Sequence, residues 1–423
     1  MIAEGTERQR INSVRVLSSF ISTRSMLLAI FMLMAGNGVM STLVSFRLES
    51  TGIPASIIGL VATSYFVGLT IGALRASPII RRVGHIRTFA ASVSLLSAST
   101  LAYTLFQGAA FWALLRLLDG LCIAAVYVCL ESWLNERAEP STRGSVLAAY
   151  MISLYSGQAL GQFLLNLGES AAAPFVASSL LVSLSVLPIA LTRLKEPAVT
   201  EQAPLTVRGL YSASPLGVVG CGMVGLMLGA FYGLGAVYAR RLGLEMSEIA
   251  LFMSVVIAGG VALQWPIGWL SDRFDRRTVI VATLLGATLV CGGLAWVVGS
   301  GPLLLVLGAV FGGLSFALYP LCVAHTNDHL SAEQRVSASG GLVLTYSMGA
   351  AAGPTAGAAV MTAAGVGGLF LFIAACALLT LIFALWRQLR GRPVPSEQQQ
   401  PYQILPRTTP AAAELDPLPR SAD

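Results

Sequence analysis

Apolar stretches, each long enough to cross hydrocarbon and separated by short polar breaks, set the pattern of this chain. They fall near 26–46, 55–74, 88–106, 111–133, 144–167 and 173–192, and again near 213–238, 247–270, 278–298, 302–325, 336–361 and 367–386. A helix of about 20 residues spans a bilayer core of about 30 Å. Hydrocarbon leaves a peptide group no outside partner, so each stretch is expected to be a helix. Strands of a membrane barrel would be shorter and would alternate. The longest polar break between spans, 193–212, contains Lys195, Glu196, Pro197, Glu201 and Pro204. The expected domains are a cytoplasmic N-terminal tail (1–25), a six-helix bundle (26–192), a cytoplasmic linker (193–212), a second six-helix bundle (213–386) and a cytoplasmic tail (387–423). That last segment is rich in Pro and Gln, has no apolar period, and is expected to be disordered. The predicted fold class is an all-α membrane protein of twelve transmembrane helices in two bundles.

Composition agrees with this pattern. The chain is 55% hydrophobic and 11% charged, with a mean hydropathy of +0.76, against about 25% charged for a soluble domain. The net charge of +6 comes with no basic run interleaved with aromatics, so no nucleic-acid partner is expected. Lys and Arg instead report orientation. With the N-terminus in the cytoplasm, only Arg47, Arg240 and Arg241 fall outside, and Arg116 lies within a span. Both termini are therefore expected in the cytoplasm. Residues 1–25 carry Arg8, Arg10, Arg15 and Arg24 without a cleavage site and read as a tail rather than a signal peptide. The six cysteines sit in apolar stretches without CxxC spacing and read as core residues. No phosphate-binding G-x-x-x-x-G-K-[ST] and no H-E-x-x-H occurs, so no nucleotide, metal or other cofactor is expected.

The two bundles repeat in the same orientation. Asn135, Glu136 and Arg143 are matched 192 positions later by Asn327, Asp328 and Arg335. Gly120, Gly157 and Gly161 are matched at the same offset by Gly312, Gly349 and Gly353. Glycines four apart let helices approach closely.

The loop after the eighth stretch reads Gly268-Trp-Leu-Ser-Asp272-Arg273-Phe-Asp275-Arg276-Arg277. It resembles the G-x-L-x-D-R-x-G-R-R signature of the major facilitator superfamily, with Asp275 in place of the second Gly. The corresponding first-half loop has Ser77, Arg81, Arg82, Gly84 and His85, so Arg81 stands where an acid is expected. Arg116-Leu-Leu-Asp119-Gly120 resembles the family's R-x-x-x-G. Gly349-x-x-x-Gly353-Pro354-x-x-Gly357 resembles its antiporter signature, which the family places in the fifth span rather than the eleventh. Leu130-Glu131-Ser132, Gly161-Gln162, Gln264-Trp265-Pro266-Ile267-Gly268 and Leu318-Tyr319-Pro320 are similar to the YcaD-like bacterial transporters. The resemblance covers about 26–386. It implies a parallel pseudo-repeat, a location in the bacterial inner membrane, and a cytoplasmic gate at Arg81, Arg82, Glu136, Arg143, Asp272, Arg273, Arg276 and Arg277. Glu136 or Glu139 is then the expected partner of Arg81, and the other reading of these charges is that they only set topology.

Candidate chemistry concentrates on the fourth span, where Arg116, Asp119 and Glu131 lie well inside the apolar run. Ionisable groups at a helix centre cost at least ~2.5 kcal/mol unless paired or hydrated. At about 100° per residue, Asp119 and Glu131 lie about 60° to either side of Arg116, with Tyr127 about 20° from it, and Glu131 is about 22 Å further along. One reading gives Asp119 or Glu131 a coupling proton and lets Arg116 bias it or bind an anionic group. The other makes Arg116–Asp119 a structural pair and Glu131 a helix-end charge. Tyr155, Gln158, Gln162 and Asn166 form a polar stripe that lines a cavity or glues helices. Asn37, Gln264, Tyr346, Tyr232 and Trp265 are further candidates, and His325 reads as structural.

The expected function is alternating-access transport of a small solute by a secondary transporter, proton-coupled and monomeric. A membrane-embedded enzyme and a non-transporting receptor or scaffold are the alternatives. The enzyme would need a convergent nucleophile or metal cluster, and none is visible.

Overall fold

The computed structural model describes residues 23–137, 142–167, 170–192, 197, 207–390, 399–403 and 407–408, with the backbone alone at 207, 332, 333 and 336. The tail ahead of Thr23, Glu139, most of the 193–212 linker and most of the segment beyond Arg390 lie outside these residues. The first half comprises α1 (Thr23–Ser50), α2 (Ala55–Val83), α3 (His85–Ala102), α4 (Ala109–Arg137), α5 (Arg143–Gly161) and α6 (Ala173–Ala190). A short helix, Val207–Ala213, leads into the second half. That half comprises α7 (Pro215–Arg241), α8 (Met246–Arg273), α9 (Arg276–Trp296), α10 (Pro302–Asn327), α11 (Ala332–Ala364) and α12 (Gly368–Arg390). No strand occurs among the described residues.

Among the described residues, nine of these helices are long and apolar enough to cross a membrane by length and composition. The others, α3, α5 and α11, are helices of the same bundles diluted by Ser, Gly and Arg. Several helices outrun their apolar cores. The apolar run of α2 ends near residue 74, yet the helix continues through Arg75, Arg81 and Arg82 to Val83, because water outside the bilayer tolerates a helix as readily as hydrocarbon does.

The molecule is apolar outside and partly polar inside. Leu60, Leu114, Leu180, Leu289 and Leu379 are exposed, whereas Arg116, Asp119, Glu131, Gln162 and Gln264 are buried. This arrangement suits a chain whose surroundings are lipid. All six cysteines are buried and free.

Close helix contact follows the repeated glycines. A Cβ on Gly120 of α4 would strike the Tyr65 carbonyl of α2, and one on Gly312 of α10 would strike the Val256 carbonyl of α8. The pair Gly157 and Gly161 lies against the α1 backbone at Phe31 and Ala35. Gly349 and Gly353, at the repeat offset, lie against the α7 backbone at Gly222 and Leu226. The matched residues therefore do the same packing work in each half, with backbone resting on backbone.

The halves meet at the end of the bundle away from Thr23 and Arg390. Ser45 of α1 donates to the Gly233 carbonyl of α7 at 2.7 Å. Thr63 of α2 donates to the Ala351 carbonyl of α11 at 2.8 Å and pairs with Thr355 at 2.9 Å. Arg241 grips Glu49 through two hydrogen bonds, of 2.7 and 3.2 Å. Pro354 packs where Gly59 and Gly233 leave room for it. On the tail side, residues 399–403 and 407–408 lie against the bundle, held by the contacts described below. Charged side chains of the bundle, Asp272, Asp328 and Glu131, accept hydrogen bonds from these described positions.

The glycine contacts are testable. Gly312→Val should cost about 1–3 kcal/mol of stability by overpacking, read as a thermal midpoint in detergent lowered by several degrees. Gly108→Ala, which meets no atom within 4 Å, should leave the midpoint unchanged. Equal midpoints for the two variants would refute the packing account.

Candidate functional site

A cavity of about 110 Å3 lies between the halves, with Arg407 and Thr408 of the tail among its lining residues. α1 supplies Asn37 and Ser41, α2 Tyr65, α4 Tyr127, α5 Tyr155 and Gln158, α7 Tyr232, and α11 Tyr346. Tyr155, Tyr232 and Phe316 form one aromatic wall, with ring centres 5.5 Å apart for Tyr155–Phe316 and 6.3 Å for Tyr232–Phe316.

The α4 charges fall into two groups, Arg116 with Asp119 and Glu131 further along the helix. Arg116 and Asp119 approach to 3.6 Å, as residues three apart on a helix do. Asp119 also accepts from Ser99 at 2.6 Å and from Tyr103 at 2.7 Å, both on the α3 side. Arg116 donates to Ser41 at 2.5 Å and lies 4.5 Å from the centre of the Tyr65 ring. Neither charged residue lines the cavity. Both sit behind it in a network joining α1, α2, α3 and α4. The helical-wheel expectation that Arg116, Asp119, Tyr127 and Glu131 all line the cavity is thus corrected. Of the four, Tyr127 lines the cavity, whereas neighbouring helices and the tail cover Arg116, Asp119 and Glu131, and a single-helix projection contains no information about its neighbours.

Glu131 is fully buried nearer the tail side. It accepts from Tyr150 at 3.2 Å and from Thr408 of the tail. Tyr127 reaches the cavity and donates to the Met34 sulfur at 3.3 Å. Gln158 and Asn37 line the cavity as expected. Gln162 does not line it. Its amide donates to the Gly38 carbonyl of α1 at 3.1 Å and so joins two helices. Asn166 is exposed, because α5 ends at Gly161 and a 3-10 turn, Gln162–Asn166, rotates it off the stripe. Gln264 packs α8 against α10, donating to the Phe316 carbonyl at 3.4 Å. Trp265 is 71% exposed and faces away from the cavity. His325 is buried, its ring 4.9 Å from that of His329.

On the tail side, the second-half loop forms a charge cluster. Arg276 is buried and contacts both Asp328 carboxylate oxygens at 2.6 Å, Asp272 at 3.5 Å and Ser271 at 3.0 Å. Burial pushes the Asp328 carboxyl above its ordinary range, while Arg276 pulls it down. Asp275, which replaces the expected glycine, caps α9 by accepting from the Arg277 amide at 3.4 Å. Arg273 lies flat on Trp269, 3.9 Å from the ring centre. In the first half, Gly84 takes the matching position with φ +89°, and His85 begins α3. The His85 ring lies 5.9 Å from Trp133 of α4, so ring packing stands where Arg276 binds Asp328. Arg81 and Arg82 are exposed at the end of α2, Glu136 is exposed and Arg143 half-buried.

Sequence reasoning overlooked Tyr65, Phe316 and Arg407. Tyr65 and Phe316 lie in ordinary apolar runs with no local signal. The one signal for Arg407 was its place after Tyr402-Gln-Ile-Leu-Pro, an apolar patch within a polar tail.

The family model described as Major Facilitator Superfamily matches residues 26–300 and 218–415. An uncharacterised MFS-type transporter of Yersinia pestis (strain Pestoides F) is 30% identical over 373 residues, covering 86% of this chain and 93% of that protein. An uncharacterised MFS-type transporter, YcaD, of Escherichia fergusonii is 30% identical over 354 residues, covering 82% and 91%. Among solved structures, the nucleoside transporter NupG superposes with a TM-score of 0.73 at 13% identity, covering 88% of this chain and 99% of its own. A bacterial homologue of the lysosomal transporter Spinster, inward-facing and occupied, superposes with a TM-score of 0.72 at 16% identity, covering 90% and 98%. The two structural likenesses concern the fold.

The network behind the cavity predicts graded losses. Tyr103→Phe removes one donor to a buried carboxylate and should cost about 1–3 kcal/mol. Asp119→Ala strands the Arg116 charge and should cost about 3–5 kcal/mol. Thermal midpoints in detergent rank the two, and an Asp119→Ala protein as stable as Tyr103→Phe would rule out the ion-pair lock.

Proposed function

We propose that this chain, which belongs to the Major Facilitator Superfamily, is a secondary active transporter that moves a small solute by alternating access. The family makes it a multi-pass membrane transporter. The finer reading is supported by one observation: the halves are clasped on one side of the bundle, at Glu49–Arg241 and Thr63–Ala351, above a cavity that both halves line. Rocking the halves about that cavity would break these contacts and open the other face.

The driving ion in this reading is the proton. Among the described residues, two acids are buried within spans, and their positions differ. Asp119 is committed to Arg116, Ser99 and Tyr103. Glu131 stands on the tail side, with Tyr150 and Thr408 as partners, where opening of that face would admit water. Glu131 is therefore the proposed proton carrier, and Asp119 a structural partner. In this reading both tails lie in the cytoplasm of a bacterial inner membrane, an orientation that the distribution of basic residues supports, and the tail-side cluster around Arg276 is the proposed cytoplasmic gate.

Flux in proteoliposomes should respond to an imposed pH gradient. Glu131→Gln should abolish that response while leaving the protein folded. A Glu131→Gln protein whose transport keeps its full pH dependence would remove Glu131 from the coupling role. Glu49→Gln should weaken the clasp on the closed side and shift accessibility of cysteines introduced near Gly59 toward the labelled state. Unchanged labelling would count against alternation about this clasp.

A further inference from the structure

The central cavity holds a guanidinium that belongs to the protein itself. Arg407 places its guanidinium carbon 4.4 Å from the centre of the Phe316 ring, 5.7 Å from Tyr346 and 6.0 Å from Tyr155. Its neighbour Thr408 donates to Glu131. The preceding described stretch is anchored at the tail-side cluster. The Gln400 amide donates to Asp328 at 2.8 Å, Arg276 donates to the Gln400 carbonyl at 2.5 Å, and the Tyr402 amide donates to Asp272 at 2.7 Å. The Tyr402 ring fills the space a side chain at Gly268 would take. Residues 399–403 thus bind the gate charges, and 407–408 reach the cavity.

The lining explains why a cation is accepted there. Aromatic faces carry the negative lobe of the ring quadrupole and attract guanidinium and ammonium groups. Among the described lining residues, Arg407 is the one basic side chain. Arg116, whose charge would repel a cation, stands behind Tyr65 and is paired with Asp119. Behind the lining at the tail-side end, the Glu131 carboxylate accepts from Thr408, which does line the cavity.

We propose that this cavity is a binding site for organic cations bearing a guanidinium or alkylammonium group, and that Arg407 of the chain's own tail occupies it as an internal competitor. The substrate class rests on the transporter reading above. A tethered group competes at an effective concentration that reaches the millimolar range, so a solute must outcompete Arg407 to bind.

The test titrates full-length protein in lipid nanodiscs with phenylguanidine and with tetrapropylammonium by calorimetry. Benzoate and benzyl alcohol serve as anionic and neutral counterparts. Arg407→Ala should bind at least one of the two cations about tenfold more tightly than wild type, and neither counterpart. Arg407→Lys should stay as weak as wild type. Adding Phe316→Leu to Arg407→Ala should reverse most of the gain, with Tyr346→Leu serving the same purpose if the first substitution misfolds. Equal affinities for wild type and Arg407→Ala would overturn the competitor. Failure of Arg407→Ala to bind either cation, or binding of benzoate as tightly, would overturn the cation site. Proteoliposome flux without cation binding would sink the site and leave transport standing. Cation binding by a protein that carries no solute would do the reverse.

Discussion

Hydrocarbon offers a peptide group nothing to bond with, so each span must close its hydrogen bonds upon itself. It also removes the usual reason for apolar helices to associate, because lipid tails are as apolar as leucine. Association then depends on how closely backbones can approach. In this protein the approach is made at glycines, and the same positions serve in each half. Gly120 and Gly312 bring α4 and α10 onto α2 and α8, while Gly157–Gly161 and Gly349–Gly353 bring α5 and α11 onto α1 and α7. The internal repeat is a consequence of that requirement. Two copies of one packing solution make two bundles that are each tightly joined and meet along a more polar seam.

The seam is asymmetric. On one side it is tied by Ser45, Thr63 and the Arg241–Glu49 pair. On the tail side the charges of the second-half loop turn instead to the protein's own C-terminal residues. The first-half loop has His85 against Trp133 in the matching place. The Arg276–Asp328 pair is buried, so salt screens it far less than it would an exposed pair.

Much of this was legible along the chain. A period of apolar runs demands helices in a membrane, and paired offsets of 192 demand two like halves. The Asp272–Arg277 loop already resembled the family signature in sequence. The site was less legible. Gln158, Asn37 and Tyr127 reached the cavity as expected, whereas Gln162, Asn166 and Gln264 did not. A polar residue on a membrane helix signals that something polar lies opposite, and a carbonyl one helix away satisfies that signal as well as a cavity does. Phe316 and Tyr65 carried no signal at all, because an aromatic ring in an apolar run looks the same whether it packs or binds.

By itself, then, the sequence determined the solvent, the helices, the two-fold repetition and the residues whose burial would be costly. Whether the Arg116 charge faces a solute or stands behind a tyrosine was decided by tertiary structure, as was the meeting of Arg407 with rings drawn from α5, α10 and α11. The physical reason is range. Periodicity and hydropathy act over one turn or one span of chain, while a cavity is formed by side chains more than a hundred residues apart, whose meeting depends on how whole helices pack.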